Sequence, residues 1–311
     1  MKPSLKVKIG SLELKNPVLT ASGTFGYGLE YSQFIDLNLL GGIIIKGLSL
    51  KPKKGNPPPR IYETPCGMLN SIGLQNIGYE AFVKEKLPFL KKFNTKIVVN
   101  FFGENLDEYI EIANKLSKTD GVDALEMNIS CPNKETEWRK MGTEPELLRK
   151  AVKEVRAVVN KTLIVKLTPQ VTDIAYMAKI VEDEGADAVS LINTFPAMVV
   201  DIKTRSSVLG TLTGGLSGPA IRPIAVRATW EVCKAVKIPV IGIGGIVDYS
   251  DALQFLIVGA KAVAVGTANF INPYATVEII EGIERFLIEE GINNINDIIG
   301  SINEKANNAY N

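Results

Sequence analysis

The chain contains no histidine. That one absence removes Ser-His-Asp and Cys-His nucleophilic systems, HExxH zinc sites and histidine general bases together, so acid–base work would fall to cysteine, lysine, tyrosine or a carboxylate. Cysteine is scarce as well: Cys66, Cys131 and Cys233 are the three, and none forms a CxxC pair. Three widely spaced thiols cannot ligate a four-cysteine cluster, so neither an iron–sulfur centre of the chain's own nor a disulfide framework is expected, and no metal site is proposed. There is no excess of one charge, since 35 basic residues face 34 acidic ones and leave a formal +1. A nucleic-acid binder would show a basic stripe. No run approaches the ~18 apolar residues of a membrane-spanning helix, and Met1-Lys2-Pro3-Ser4-Leu5-Lys6-Val7 lacks the apolar stretch of a signal peptide. A cytoplasmic protein is expected, with neither membrane nor nucleic acid as partner.

What is present is a core. At 311 residues and 46% hydrophobic, the chain is long enough for one large α/β barrel, and a single domain over 1–311 is expected. Residues 4–17 read as a hairpin: Leu5, Val7 and Ile9 alternate with lysines, and Gly10-Ser11 turns into Leu12-Glu13-Leu14. Eight apolar, β-rich runs follow, at 17–22, 42–46, 96–101, 124–130, 163–168, 188–193, 239–244 and 262–267. Near-continuous apolar strands imply burial on both faces, as in a parallel sheet covered by helices. Between them lie helical patterns. Residues 143–159 open with Thr143 and Glu146 as a capping box, with Pro145 in the first turn. Leu147, Leu148, Ala151, Val152 and Val155 then recur at helical spacing. Residues 172–184 form another helix ending at Gly185, and 273–289 the last. The alternation predicts a closed (β/α)8 TIM barrel; an open, doubly wound sheet is the alternative. Two connections, about 47–75 and 197–216, are too long for simple β/α loops. Both follow strands, so they are expected to pack as a small cap over the C-terminal mouth, where barrel active sites lie.

Three groups of residues carry chemistry there. Strand seven ends in Ile243-Gly244-Gly245-Ile246 and strand eight in Val265-Gly266-Thr267. Such glycines let backbone N–H groups approach a phosphate, although tight turns alone would also explain them. Lys46, Asn100, Asn128, Lys166 and Asn193 each stand near the C-terminal end of an apolar strand. One buried polar group can be satisfied internally, whereas five at the same end point to a polar ligand. Ser130-Cys131-Pro132-Asn133 follows strand four. A thiol can exchange a proton near neutral pH, but a lone cysteine is more often a small buried hydrophobe. Cys233 sits on a helical pattern and is expected in the core; Cys66 is near the site without a strand-end position.

Taken together, Gly67-Met68-Leu69-Asn70-Ser71-Ile72-Gly73-Leu74-Gln75-Asn76, Asn128 through Asn133, Thr213 through Gly218 and Ile241 through Ile246 resemble the dihydroorotate dehydrogenases of pyrimidine synthesis, over about residues 5–290. The resemblance implies one FMN across the barrel mouth, its phosphate near Gly244, Gly245, Gly266 and Thr267. Ala21, Ser22, Lys46, Gly47, Asn100, Asn128, Lys166, Ile192 and Gly218 match the positions around the ring. Lys46, Asn70, Ser71, Ile72, Gly73, Leu74, Asn128, Asn133, Asn193 and Thr194 match the substrate groups, and Cys131 matches the base that takes a proton from ring carbon 5. Membrane-bound relatives use serine at that position, so the cysteine implies the soluble class. Gly47 departs from the threonine of many relatives. Within the soluble class, Gly73 through Asn76 and Leu209 through Gly215 look more like the NAD-linked type, in which a homodimer core joins partner subunits carrying FAD and a 2Fe–2S cluster as a heterotetramer. The alternatives are a fumarate-linked homodimer, a related flavin barrel acting on another pyrimidine such as a tRNA uridine, and a phosphate-ligand module without catalysis.

Overall fold

A computed structural model describes residues 2–130 and 140–304. The chain enters through an antiparallel hairpin, β1 (Val7–Ile9) and β2 (Leu12–Leu14). Its buried Val7, Ile9, Leu12 and Leu14 face inward. Its turn docks at the start of two barrel strands, where Ser11 N donates to Thr162 Oγ1 at 3.1 Å. The hairpin therefore lies at the end of the barrel opposite the mouth.

Eight parallel strands close the barrel. In chain order they are β3 (Val18–Thr20), β4 (Gly42–Leu48), β7 (Lys96–Phe101), β8 (Ala124–Asn128), β9 (Thr162–Lys166), β10 (Ala188–Leu191), β15 (Val240–Ile243) and β16 (Ala262–Val265), and β16 pairs back onto β3. The closed ring decides against the open sheet. Every residue of β3, β8, β9, β10, β15 and β16 is buried, as strands covered on both faces require.

The helices cover the ring. After α1 (Tyr79–Ala81), a π turn and α2 (Leu87–Leu90) come α3 (Leu106–Lys118), α4 (Pro145–Val158), α5 (Ile174–Asp183), α6 (Arg222–Ala235), α7 (Tyr249–Ile257), α8 (Ala268–Ile271) and α9 (Ala275–Glu289). Asn105 caps α3, Asp173 caps α5 and Asp248 caps α7, each side chain accepting from a backbone N–H of the first turn. α5 stops at Gly185, which takes a positive φ of 86°. The capping box expected for α4 does not form. Glu144, not Thr143, is the N-cap, and Thr143 Oγ1 donates to Lys140 O instead. Glu144 precedes Pro145, whose ring keeps it extended at φ −105°, ψ 113°. The helix therefore starts one residue too late for the box.

The two long connections meet. β5 (Ile61–Thr64) and β6 (Gly67–Asn70) come from the first, β11 (Phe195–Ala197) and β14 (Gly214–Ser217) from around the second. They make one antiparallel sheet in the order β11-β14-β6-β5. A separate ribbon, β12 (Val200–Asp201) with β13 (Ser206–Ser207), extends from the second connection. The β6–β14 seam is tight enough to need glycine, because a Cβ on Gly67 would lie 2.1 Å from Ser217 O.

Candidate active site

Strand ends and cap converge on one cavity of about 1000 Å³. β4 brings Lys46 and Gly47, β7 Asn100, β8 Asn128 and β9 Lys166; Ile192, Asn193 and Thr194 follow β10. Ala21 and Ser22 follow β3, Gly244 and Gly245 follow β15, and Gly266 and Thr267 follow β16. The cap contributes Asn70, Ser71, Ile72, Gly73, Leu74 and Gly218. Every candidate from the sequence lines this cavity except Cys131 and Asn133, which lie outside the described residues.

The amides are held in defined orientations. Asn128 Oδ1 accepts from Ser130 N at 3.1 Å and from Asn193 Nδ2 at 3.4 Å, and its backbone carbonyl accepts from Tyr109 Oη at 2.7 Å. Asn193 Oδ1 accepts from Thr194 N, and Asn70 Nδ2 donates to Gly215 O. Gly73 and Leu74 are both left-handed, at φ 72° and 58°. A branched residue there is uncommon and marks a loop held in one shape.

Two lysines give the cavity its charge. Lys166 is buried, and its Nζ donates to the neutral Ser22 Oγ at 3.2 Å. Burial, and then the Arg60 guanidinium, hold Lys46 below the usual lysine range. Arg60 itself is spent on the cap, donating to Asn56 O, Lys54 O and Gln75 Oε1. Ammonium groups taken out of water favour an anionic ligand. At the end of the cavity formed by the turns after β15 and β16, Gly244 and Gly245 have φ 134° and 71°, and a Cβ on Gly245 would stand 2.8 Å from Gly218 O. Gly266 differs: a Cβ there would meet nothing closer than 3.5 Å, so it leaves open space instead of relieving a clash.

Some participants escape the sequence reading. Lys53, Asn56, Thr168 and Gln170 also line the cavity. Lys53 of the first insertion pairs with Glu104 after β7, tying cap to barrel. Glu126 sits beneath the cavity, fully buried, accepting from Asn100 and Ser190. Its signal was period two: residues 126 and 128 share a face of one strand. Cys66 is exposed, and Cys233 is half-buried against the core instead of within it. Among the described residues no cluster of side chains could hold a metal ion, and no helix is long and apolar enough to cross a membrane.

The family model for dihydroorotate dehydrogenase matches residues 4–287. The chain belongs to the dihydroorotate dehydrogenase family. Among its relatives, the dihydroorotate dehydrogenase B (NAD(+)) catalytic subunit of Thermodesulfovibrio yellowstonii is 78% identical, covering 97% of this chain and 100% of the relative. Proteins of the same name from Thermoanaerobacter sp. strain X514 and Trichlorobacter lovleyi are each 56% identical, covering 96% and 97% of this chain and 99% of each relative.

The residues of this family member suit a flavin mononucleotide. A cavity near the top of the ~300–1000 Å³ range of ligand sites has room for a cofactor and a small substrate together. Glycine turns stand at one end, a buried lysine at its floor, and Asn100 Oδ1 is buried without a hydrogen-bond partner among the described residues. An orphan acceptor of that kind calls for a donor from a ligand.

Proposed function

We propose that this chain oxidises (S)-dihydroorotate to orotate on the route to UMP, as the FMN-dependent catalytic subunit of a cytoplasmic, NAD-linked enzyme. The observation that carries this reading is the convergence of three lysines, five asparagines and the glycine turns of β15 and β16 on a single cavity at the barrel mouth. Gly244, Gly245, Gly266 and Thr267 would hold the FMN phosphate. Ala21, Ser22, Lys46, Gly47, Asn100, Asn128, Lys166, Ile192 and Gly218 would surround its ring. When bound, FMN supplies the acceptor for the hydride that leaves ring carbon 6 of the substrate.

The chain's own residues do the rest. Asn70 through Leu74, Asn128, Asn133, Asn193 and Thr194 offer donors and acceptors to the ring amides and carboxylate of a small, planar acid. Lys46 adds a positive charge toward that carboxylate. Lys166 places a fixed cation where negative charge gathers as the hydride arrives, which is electrostatic stabilisation in a water-poor site. Cys131, three residues beyond Asn128, takes the proton from ring carbon 5 as its thiolate. With no histidine in the chain, the thiol has no imidazole competitor for that role.

The relatives' name, an NAD(+)-linked catalytic subunit, supports a separate partner subunit; the assembly proposed is a homodimer of this chain joined by partner subunits carrying FAD and a 2Fe–2S cluster. The three dispersed cysteines agree, since the cluster must be held elsewhere. The test is purification followed by turnover. The chain alone should be yellow with FMN, and dihydroorotate should reduce NAD+ only when the partner is present. NAD+ reduction by the isolated chain would contradict the partner; rapid dihydroorotate:fumarate turnover by it would place the chain in the fumarate-linked type. Cys131→Ala should retain FMN yet slow its reduction by dihydroorotate by ~10²–10⁴. Wild-type reduction in that variant would refute the base.

A further inference from the structure

Beneath the cavity floor a polar layer continues from Asn100 to Glu126 and Ser190, two residues that no substrate or cofactor assignment uses. Asn100, Glu126 and Ser190 stand on the neighbouring or next-neighbouring strands β7, β8 and β10, at 1%, 0% and 0% exposure. Glu126 Oε2 accepts from Asn100 Nδ2 at 2.6 Å, and Oε1 accepts from Ser190 Oγ at 2.7 Å. A carboxylate buried with two neutral donors is costly, and a barrel interior of aliphatic side chains would avoid it. Its consequence is geometric. With Nδ2 committed to Glu126, the Asn100 carboxamide cannot flip, and Oδ1 is turned the other way. That oxygen has no hydrogen-bond partner among the described residues, although Asn100 lines the cavity. Gly47 keeps the oxygen accessible, since a Cβ there would stand 2.9 Å from it.

We propose that Glu126 is a positioning residue, which fixes Asn100 so that the cavity presents an acceptor, never a donor, to a cyclic imide N–H. The isoalloxazine ring and orotate both carry such a group, flanked by two carbonyls. Were Asn100 free to flip, its NH2 could meet a carbonyl of the ligand equally well, and the site would lose its ability to sense the N–H. The proposal rests on the flavin-and-pyrimidine reading of this cavity.

The experiment compares each imide ligand with its N-methylated form. FMN and 3-methyl-FMN are titrated into the apo-protein by flavin fluorescence quenching, and orotate and 3-methylorotate into the FMN-loaded protein by the change in flavin spectrum. Failure of FMN itself to bind the wild-type chain would sink the functional reading. If FMN binds, one of the two methylated probes should bind the wild type at least ~10-fold more weakly than its parent, because a buried acceptor left unmet is costly; the arm that discriminates identifies the ligand. Glu126→Gln, which offers the same acceptor to Nδ2, should keep the discrimination. Glu126→Leu should bring the ratio close to one. A ratio that stays at the wild-type value in Glu126→Leu, is lost equally in Glu126→Gln, or is absent from both wild-type arms would overturn the inference. Should Glu126→Leu fail to fold, Asn100→Ala decides: it removes Oδ1, so a ratio retained there also overturns it.

Discussion

Lys166 is the residue whose cost and use are most closely joined. Its ammonium is buried against the Ser22 hydroxyl, an arrangement that favours folding little and suits a site where negative charge develops. Lys166→Met should keep FMN and lower the rate of flavin reduction by about 100-fold, the order seen when one preorganised charge or donor is removed, with no fall in Tm. Stopped-flow reduction under anaerobic conditions measures the first and a melting curve the second. The thiols separate by burial. Burial pushes the Cys233 thiol up to about 12. In the unfolded chain it would ionise near ~8.5. The stability it contributes is therefore complete below that pH and is lost as pH rises toward about 12. In a Cys131→Ser background, a thiol reagent should label exposed Cys66 quickly at mildly alkaline pH and Cys233 only on unfolding. Two fast-reacting thiols in that background would show that Cys233 is not sheltered.

Among the elements, the cap is the vulnerable one. The cap strands approach so closely that a Cβ on Gly67 of β6 would stand 2.1 Å from the Ser217 carbonyl of β14, and one on Gly215 of β14 the same distance from Thr194 Oγ1 just before β11. Gly67→Ala must push the two insertions apart, at a cost of ~1–3 kcal/mol. The expected signature is a KM for dihydroorotate raised about tenfold with FMN still bound, because Asn70 lies on β6 while the glycine turns proposed to hold the phosphate follow β15 and β16. An unchanged KM would separate the cap from substrate binding. The barrel strands were legible because each is a short, nearly unbroken apolar run. The strand-end amides, lysines and glycines were legible because polarity and glycine stand out against those runs. The start of α4 was not, since Glu144 faces two local rules and the proline rule prevails over the capping box. Glu126 was missed because a single acid inside ALEMN (124–128) looks like a solvent-facing residue until the alternation of the strand is counted from Asn128. The pairing of Lys53 with Glu104 joins segments far apart in sequence, and no local pattern encodes it.

At the scale of the whole molecule, the fold separates its tasks. The hairpin occupies one end of the barrel, a continuous apolar core fills the layers between strands and helices, and the polar groups gather at the other end beneath the cap. A family that shares this barrel and residues 4–287 of this chain oxidises a dihydropyrimidine, and the cavity's lysines, amides and glycine turns suit that chemistry. The most direct measurement is the flavin absorption of the purified chain during anaerobic addition of dihydroorotate. The oxidised flavin band should bleach as one equivalent of orotate forms per FMN, and NAD+ added afterwards should leave it bleached until the partner subunit is supplied. A flavin that stays oxidised in excess dihydroorotate would contradict the assignment of this cavity as the dihydroorotate-oxidising site.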